Sequence, residues 1–272
     1  MDSMLIEMAA YSSDVQDYAL HAHNCYEIIY LKRGTLRLQV DRRQYQVQAP
    51  SLIFLNKLEQ HSVQVVGSVY ERYYLGISPV SAGNLIREYT LLTLLSNRPK
   101  DFTHVLSVGS LQQEVERIFN ACIEEQARIM PYTNQRQAAL LTDLLVQIYR
   151  QNPTLFTAES NKSISTIWSI QCRFEREYAE KINLSALAEE YHMSVSYLSH
   201  LFKRITGYSV MEYLTMCRLS VAKKLLSETN MSVTDVVFAT GFSDSSNFSR
   251  VFKREIGCSP MEYKRLEKEQ ML

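Results

Sequence analysis

The sequence predicts an α+β chain. Its first part reads as an antiparallel β-barrel or sandwich with following helices, and its second part as an all-helical region with two helix–turn–helix patterns. Three observations carry this. Apolar and polar residues alternate with a period of two between Tyr26 and Ser78, as in strands with one buried face. After about Pro79 the apolar spacing becomes helical. In the last third a twelve-residue segment returns after 50 positions, and each copy reads as a helix end, a reversal and a new helix.

Composition narrows the class. The 272 residues suit one large or two ordinary domains. With 46% hydrophobic and 21% charged residues, the balance is that of a globular protein in water. Lys+Arg and Asp+Glu both total 29, so net charge alone points to neither nucleic acid nor an acidic substrate. Residues 162–272 nevertheless carry 15 basic and 13 acidic side chains, and residues 195–254 carry eight and four, which marks where an anion would bind. Asp2 and Glu7 argue against a signal peptide at Met1–Ala10. No run approaches the ~18 apolar residues of a membrane span. The five cysteines (Cys25, Cys122, Cys172, Cys217, Cys258) are scattered and form no CxxC, so reduced thiols in a cytoplasmic protein are expected.

Along the chain, Thr35–Val40 and Tyr45–Gln48 alternate most clearly, and Gly34, Asp41-Arg42, Ala49-Pro50 and Gly67 read as punctuation between strands. Leu111, Val115, Ile118, Phe119, Cys122 and Ile123 form one helical stripe, which Ser110 to Gln113 would open as a capping box. Leu140, Leu141, Leu144, Leu145, Ile148 and Tyr149 form a second. Polar residues from Gln151 to Lys162, with Pro153, read as an interdomain linker. The expected division is a sensing and dimerisation domain over 1–155, a linker over 156–163 and a helical domain over 164–272.

The repeat pairs Phe202–Tyr213 with Phe252–Tyr263, and eight of twelve positions are identical. Gly207 and Gly257 suit the left-handed position that ends a helix. Ser209 with Glu212, and Ser259 with Glu262, are capping boxes, and Pro260 sits in a first turn. Upstream of the first copy, Leu184, Leu187, Ala188 and Tyr191 give a short helix, His192-Met193-Ser194 a turn, and Leu198, Leu201, Phe202 and Ile205 a second helix. Upstream of the second, Val233, Val236 and Val237 are followed by the turn Thr240-Gly241-Phe242 and by Phe248, Val251, Phe252 and Ile256. The second helices keep polar outer faces: Ser196, Ser199, His200 and Lys203 in one, and Ser245, Ser246, Asn247, Ser249, Arg250 and Lys253 in the other. Such faces enter a DNA major groove, with Lys and Arg on phosphate or guanine and Ser and Asn on base edges or phosphate.

These residues resemble the AraC/XylS family of bacterial transcription regulators over about 164–267. The second motif carries most of it: Ser232–Val237, Gly241–Lys253 and Gly257-Cys258-Ser259-Pro260, supported by Leu187-Ala188, Ser194, Tyr197-Leu198 and Leu201-Phe202-Lys203 in the first. The resemblance implies two subdomains on one connecting helix from Val210 to Leu226, reading successive major-groove segments of double-stranded DNA. It also implies a homodimer, and RNA polymerase as partner of an activator. Leu141, Leu144, Leu145 and Ile148 are the expected dimer contacts. Val237 and Thr240 depart from the family's usual Ala and Val. The small Ser196 and Ser199 suggest weak direct readout by the first helix, with DNA shape contributing more.

In the first half, His21, His23 and Glu27, followed by Gly34, resemble the first cupin motif, and His61 falls where the second motif places its histidine; that motif's glycine is missing. The barrel is therefore expected to be cupin-like. Three imidazoles and a carboxylate suit a transition metal, so a metal-dependent cupin enzyme with an appended DNA-binding domain is the rival reading. The favoured one is a non-enzymatic regulator, without cofactor or metal, whose histidines are structural or line a pocket for a small-molecule effector such as a sugar. Tyr70, Arg72 and Tyr74 share one strand face, and Arg33 precedes Gly34. With His21, His23, Glu27 and His61, the residues Arg33, Arg72 and Tyr74 are the candidate effector contacts, the alternative being core tyrosines and solvated arginines.

Overall fold

A computed structural model describes residues 4–23, 25–57, 59–98, 102–156 and 161–270. The chain forms two compact units, one of residues 1–168 with 204–207, the other of 169–203 with 208–272. Of the expected linker, residues 157–160 lie outside the described residues, and helix α5 (Asn161–Arg176) already runs from Asn161 across the boundary between the units.

The first unit is built on one antiparallel sheet of seven strands in the order β1-β6-β3-β5-β7, with β2 on β6 and β4 on β3. The strands are β1 (Ile6–Ser12), β2 (Tyr18–His21), β3 (Tyr26–Val40), β4 (Arg43–Gln48), β5 (Ser51–Leu55), β6 (His61–Ile77) and β7 (Val105–Ser107). Two long strands, β3 and β6, pair from Tyr26↔Ile77 to Val40↔His61 and form the centre of the sheet. Ile29, Leu31, Leu36, Leu38, Val40, Val47, Ile53, Leu55, Val63 and Tyr70 pack together on the inner face.

Gly34 and Gly67 were expected between strands, and the structure corrects this: both lie inside one. The register shifts at Gly34/Thr35, and Gly34 holds φ +101° where an added Cβ would come 2.1 Å from the Val69 carbonyl oxygen. It is a bulge that lets β3 bend across β6. Strands β1, β2 and β7 were not foreseen.

The outer face carries α1 (Pro79–Leu85), α2 (Tyr89–Ser96), α3 (Gln112–Ala127) and α4 (Thr133–Gln151). Phe119 of α3 packs its ring on Tyr30 and Tyr73 at 6.0 and 5.9 Å. Side chains of α4 cover the edge of the sheet: Asn134 Oδ1 accepts from the Leu5 amide at 2.9 Å and Gln137 Oε1 from Ile6 at 3.0 Å. Ser110 does not cap α3. It lies in a 3-10 turn, Gly109–Leu111, and its hydroxyl accepts from Gln151 at 3.2 Å.

A second correction concerns the expected dimer contacts. Leu141, Leu144, Leu145 and Ile148 are all at most 1% exposed within the single chain. Helices α1, α2 and α3 pack against α4, so the stripe is the chain's own core and is unavailable to a second copy.

The second unit contains α6 (Leu184–Glu190), α7 (Val195–Thr206) up to Lys203, α8 (Val210–Glu228), α9 (Val233–Ala239), α10 (Ser245–Ile256) and α11 (Pro260–Gln270). Its two halves repeat in detail. Phe202 meets Tyr213 edge-on at 5.4 Å, and Phe252 meets Tyr263 edge-on at 5.6 Å. Both capping boxes form: Ser209 and Ser259 accept from the Glu212 and Glu262 amides at 3.3 Å, and each glutamate accepts from its serine's amide at 2.8 Å. Gly207 and Gly257 hold φ +82° and +91°. Five of the eight identities thus serve the fold. The other three, Lys203/Lys253, Arg204/Arg254 and Met211/Met261, are exposed.

Candidate nucleic-acid interface and ligand site

The two reading helices start from different caps. At α7, Ser194 Oγ accepts from the Tyr197 amide at 3.2 Å; at α10, Asp244 Oδ1 accepts from the Asn247 amide at 2.6 Å. Beneath them lie separate buried clusters, Leu198, Leu201, Phe202 and Ile205 under α7, and Phe248, Val251 and Phe252 under α10. The polar faces point away from these cores. Ser196, His200, Lys203, Ser245, Ser246, Arg250 and Lys253 are exposed, and Ser199, Asn247 and Ser249 are half-buried. All ten expected residues are therefore on surface-directed faces.

Arg250 donates from Nη2 to Asn247 Oδ1 at 2.9 Å. This contact orients the guanidinium fork before any ligand arrives, and it joins the two side chains best suited to guanine and adenine edges. Asp244 was not singled out beforehand; its role shows only in the cap. The unusual Thr240 is fully buried, and its hydroxyl donates to the Val236 carbonyl at 2.7 Å. A helix carbonyl thus satisfies the polar atom that replaces the family's valine.

In the first unit the structure gathers His21, His23 and His61, with one nitrogen of each within 4.8 Å of the others. Strand pairing sets two of them opposite each other, His21↔His61. Glu27, 2% exposed, contacts His23 Nε2 and lies 3.5 Å from His61 Nε2. Tyr74 Oη donates to the same carboxylate at 3.3 Å. Burial raises the Glu27 carboxyl, but the His23 bond and the surrounding imidazoles outweigh it and hold it below the usual range. Burial pushes His61 down to about 4 and raises the nearby Cys25 thiol to about 12.

His21 Nδ1 lies 2.6 Å from the Ala19 carbonyl, and His61 Nδ1 lies 3.0 Å from that of Glu59. A carbonyl only accepts, so both Nδ1 atoms carry protons, and in the neutral form of each ring the lone pair is on Nε2. Carbonyl bonds of this kind orient metal-binding histidines. In donor type and mutual distance the cluster fits a transition ion held by His21, His23 and His61, which would supply Lewis acidity toward a ligand oxygen.

Arg72 lies on the same inner face but farther along the strands: Glu27 pairs with Gly76, and Leu31 with Arg72. Its guanidinium sits 4.2 Å over the Tyr18 ring. Arg33 is not part of this group. The register shifts between Leu31 and Arg33, and the exposed Arg33 pairs outside with Glu71 at 2.9 Å.

A further polar centre went unforeseen. Buried Glu59 takes Arg98 at 2.5 and 3.1 Å and His104 Nε2 at 3.3 Å, and Tyr45 Oη lies 2.8 Å from His104 Nδ1. Burial alone would raise Glu59; Arg98 and His104 reverse this and hold it at about 2. Single residues spread over 45–104 carry no local signal for such a network.

Residues 5–146 match the AraC-like ligand binding domain, and residues 187–266 a helix-turn-helix domain. The chain is 24% identical over 259 residues to the uncharacterized HTH-type transcriptional regulator YdiP of Escherichia coli K12, covering 90% of this chain and 80% of that protein. It is 25% identical over 248 residues to the HTH-type transcriptional activator RhaS of Escherichia coli O1:K1 / APEC, covering 90% and 87%. Its fold resembles fatty-acid-bound ToxT from Vibrio cholerae, with a TM-score of 0.56 at 17% identity over 94% of this chain and 93% of that one. No helix among the described residues is long and apolar enough to cross a membrane. With the ligand-binding domain matched over more than half of the chain and the helix-turn-helix domain behind it, the chain belongs to the AraC family of DNA-binding transcription regulators.

Proposed function

We propose that this regulator activates transcription from a specific site in double-stranded DNA, in response to a small molecule held on the inner face of its sheet unit, without catalysing a reaction. The observation that carries the DNA half is the pair of exposed polar faces on α7 and α10, set on a duplicated scaffold. Arg250, oriented by Asn247, reads a guanine edge, and Lys203 and Lys253 contact phosphate. Ser196, Ser199, His200, Ser245, Ser246 and Ser249 complete the two faces. The RhaS name, an activator at 25% identity, favours activation, with RNA polymerase as partner. The ToxT structure, of like fold, carries a fatty acid, which favours an effector within the sheet unit. Two copies would act together. One surface for that contact is the outer side of α4, where Leu85, Ala139, Thr142 and Val146 line a groove with Gln135, Asp143 and Arg150.

The deciding experiment is footprinting on the DNA beside its own gene, at moderate salt, with and without metabolite pools. A protected site that scrambled DNA does not reproduce is expected; no protection under any condition defeats the reading. Sedimentation at micromolar concentration tests the second copy, and a monomeric mass removes it. A metal-assisted ligand site is the second reading, favoured by the three-histidine cluster. Stoichiometric metal in protein purified without added ions supports it, and its absence defeats it.

A further inference from the structure

Helix α8 packs into both halves of the helical unit. Tyr213 meets Phe202 and, at 6.3 Å, Phe174, while Leu219, Ala222 and Leu226 join Val236, Val237, Phe248 and Phe252. Arg218 stands between these two stretches. Its Nε donates to the Tyr178 carbonyl at 2.7 Å and its Nη2 to that of Glu180 at 2.8 Å. Its guanidinium also lies 5.9 Å from the centre of the Phe242 ring.

These partners come from opposite halves of the duplicated scaffold. Tyr178 and Glu180 lie in the bend between α5 and α6, which is tied to the first helix–turn–helix. Arg173 of α5 pairs with Glu177 at 2.7 Å and with Glu190 of α6, and Phe174 packs on Phe202 of α7 at 6.3 Å. Phe242 belongs to the turn of the second helix–turn–helix, and its ring meets Phe248 of α10 edge-on at 5.0 Å. A second, independent contact joins the same two segments. Gly241 holds φ +77°, and a Cβ there would come 2.5 Å from the Ala179 carbonyl oxygen. So close an approach is open only to glycine. The bend before α6 and the turn before α10 thus touch directly, and Arg218 fastens both to α8 through one rigid, planar fork. Each half already has its own buried cluster, so this clasp fixes the relation between the halves rather than the fold of either.

We infer that Arg218, with Gly241, is a positioning residue for DNA recognition. It holds α7 and α10 at one offset, so that the reader selects the spacing of its two DNA segments as well as their bases. The inference rests on the reading of α7 and α10 as the DNA-facing helices. B-DNA advances about 3.4 Å and turns about 35° per base pair. One base pair added or removed between the segments therefore moves the second away from a fixed α10 in both distance and direction. A loose joint follows that shift; a clasped one loses the contacts of one helix. Arg218 acts through the helices it holds and touches no nucleotide itself.

The test is a binding titration of the full-length chain on its footprinted site and on two altered sites, with one base pair inserted or deleted between the two protected segments. Scrambled DNA serves as reference. The parent should bind each altered site at least tenfold more weakly than the matched one. Arg218→Gln, which loses the charged fork, should shrink that penalty at least threefold while binding scrambled DNA as the parent does. Arg218→Lys, which keeps the charge and loses the fork, should fall between. A merely structural role would weaken matched and altered sites by the same factor and leave the penalty unchanged. That result overturns the inference, and so does a parent that accepts either altered site with less than tenfold loss. Should Arg218→Gln fail to fold, the parent's spacing series and the Arg218→Lys chain decide. The two readings fail differently. A protected site that tolerates altered spacing removes the clasp only, whereas no protected site on any DNA removes the regulator reading itself.

Discussion

In the sheet unit, His21, His23, Glu27, His61 and Arg72 face inward, among the side chains that hold the strands together. In the helical unit, Ser196, His200, Lys203, Ser245, Arg250 and Lys253 stand on the far side of helices whose opposite faces are packed. An inward group must satisfy the fold and the ligand at once, because a buried polar atom left without a partner is costly. An outward group meets only water until DNA arrives. Changes to the sensor should therefore appear first as lost stability, and changes to the reader as lost affinity in a protein that melts as before.

The largest effect expected is at α4. Leu145→Asp buries a charge in the first unit's core and should cost more than about 4 kcal/mol. Loss of the folded signal in thermal melts checks it; a folded chain that merely fails to dimerise would return Leu145 to an interface.

Next comes acid. Glu59 is held at about 2, below its ordinary 4.5, so its stabilisation is complete above about pH 4.5 and is lost as pH falls toward 2, by up to about 3 kcal/mol. Urea melts at pH 6 and pH 3 should show about 2 kcal/mol of that loss, and Glu59→Gln should remove the pH dependence that Glu59 contributes. An unchanged profile in the variant breaks the assignment.

Third is the reader. Arg250→Ala should cost ~1–3 kcal/mol of specific affinity and relax preference at one base position. Lys203→Ala and Lys253→Ala should weaken all sequences and each flatten the salt dependence by about one unit of slope. Salt titrations on matched and scrambled sites check both. Equal loss on the two sites for Arg250→Ala would make it a phosphate contact. None of the three should shift the melting temperature.

Smallest is a comparison inside the helical unit. Ser209→Ala and Ser259→Ala each remove one cap of identical geometry and should each cost ~1 kcal/mol. Markedly unequal losses in chemical denaturation would show that the two repeats are not energetically equivalent.

Much of the reader was legible beforehand. Capping boxes, left-handed glycines and apolar spacings of three and four act within a few residues, and all formed where the spacing placed them: Ser209 with Glu212, Gly257, and the Leu198 to Ile205 stripe. The histidine cluster was legible too, although only pairing of β2 with β6 brings His21 against His61. The α4 stripe was misread because an apolar helix face has the same pattern whether its cover is the same chain or another. Arg33 was misread because a bulge reverses which face a residue meets.

The sequence alone determined the helical repeat, the polar outer faces of α7 and α10 and the presence of a strand-rich first half, since these follow from local periodicity and capping. Tertiary structure decided everything that depends on pairing between distant segments. It set the bulge at Gly34 against Val69, the Glu59–Arg98–His104 network, the enclosure of α4, and the stacking of Arg72 on Tyr18. Long-range strand register fixes which side chains meet, and no short window of residues encodes it.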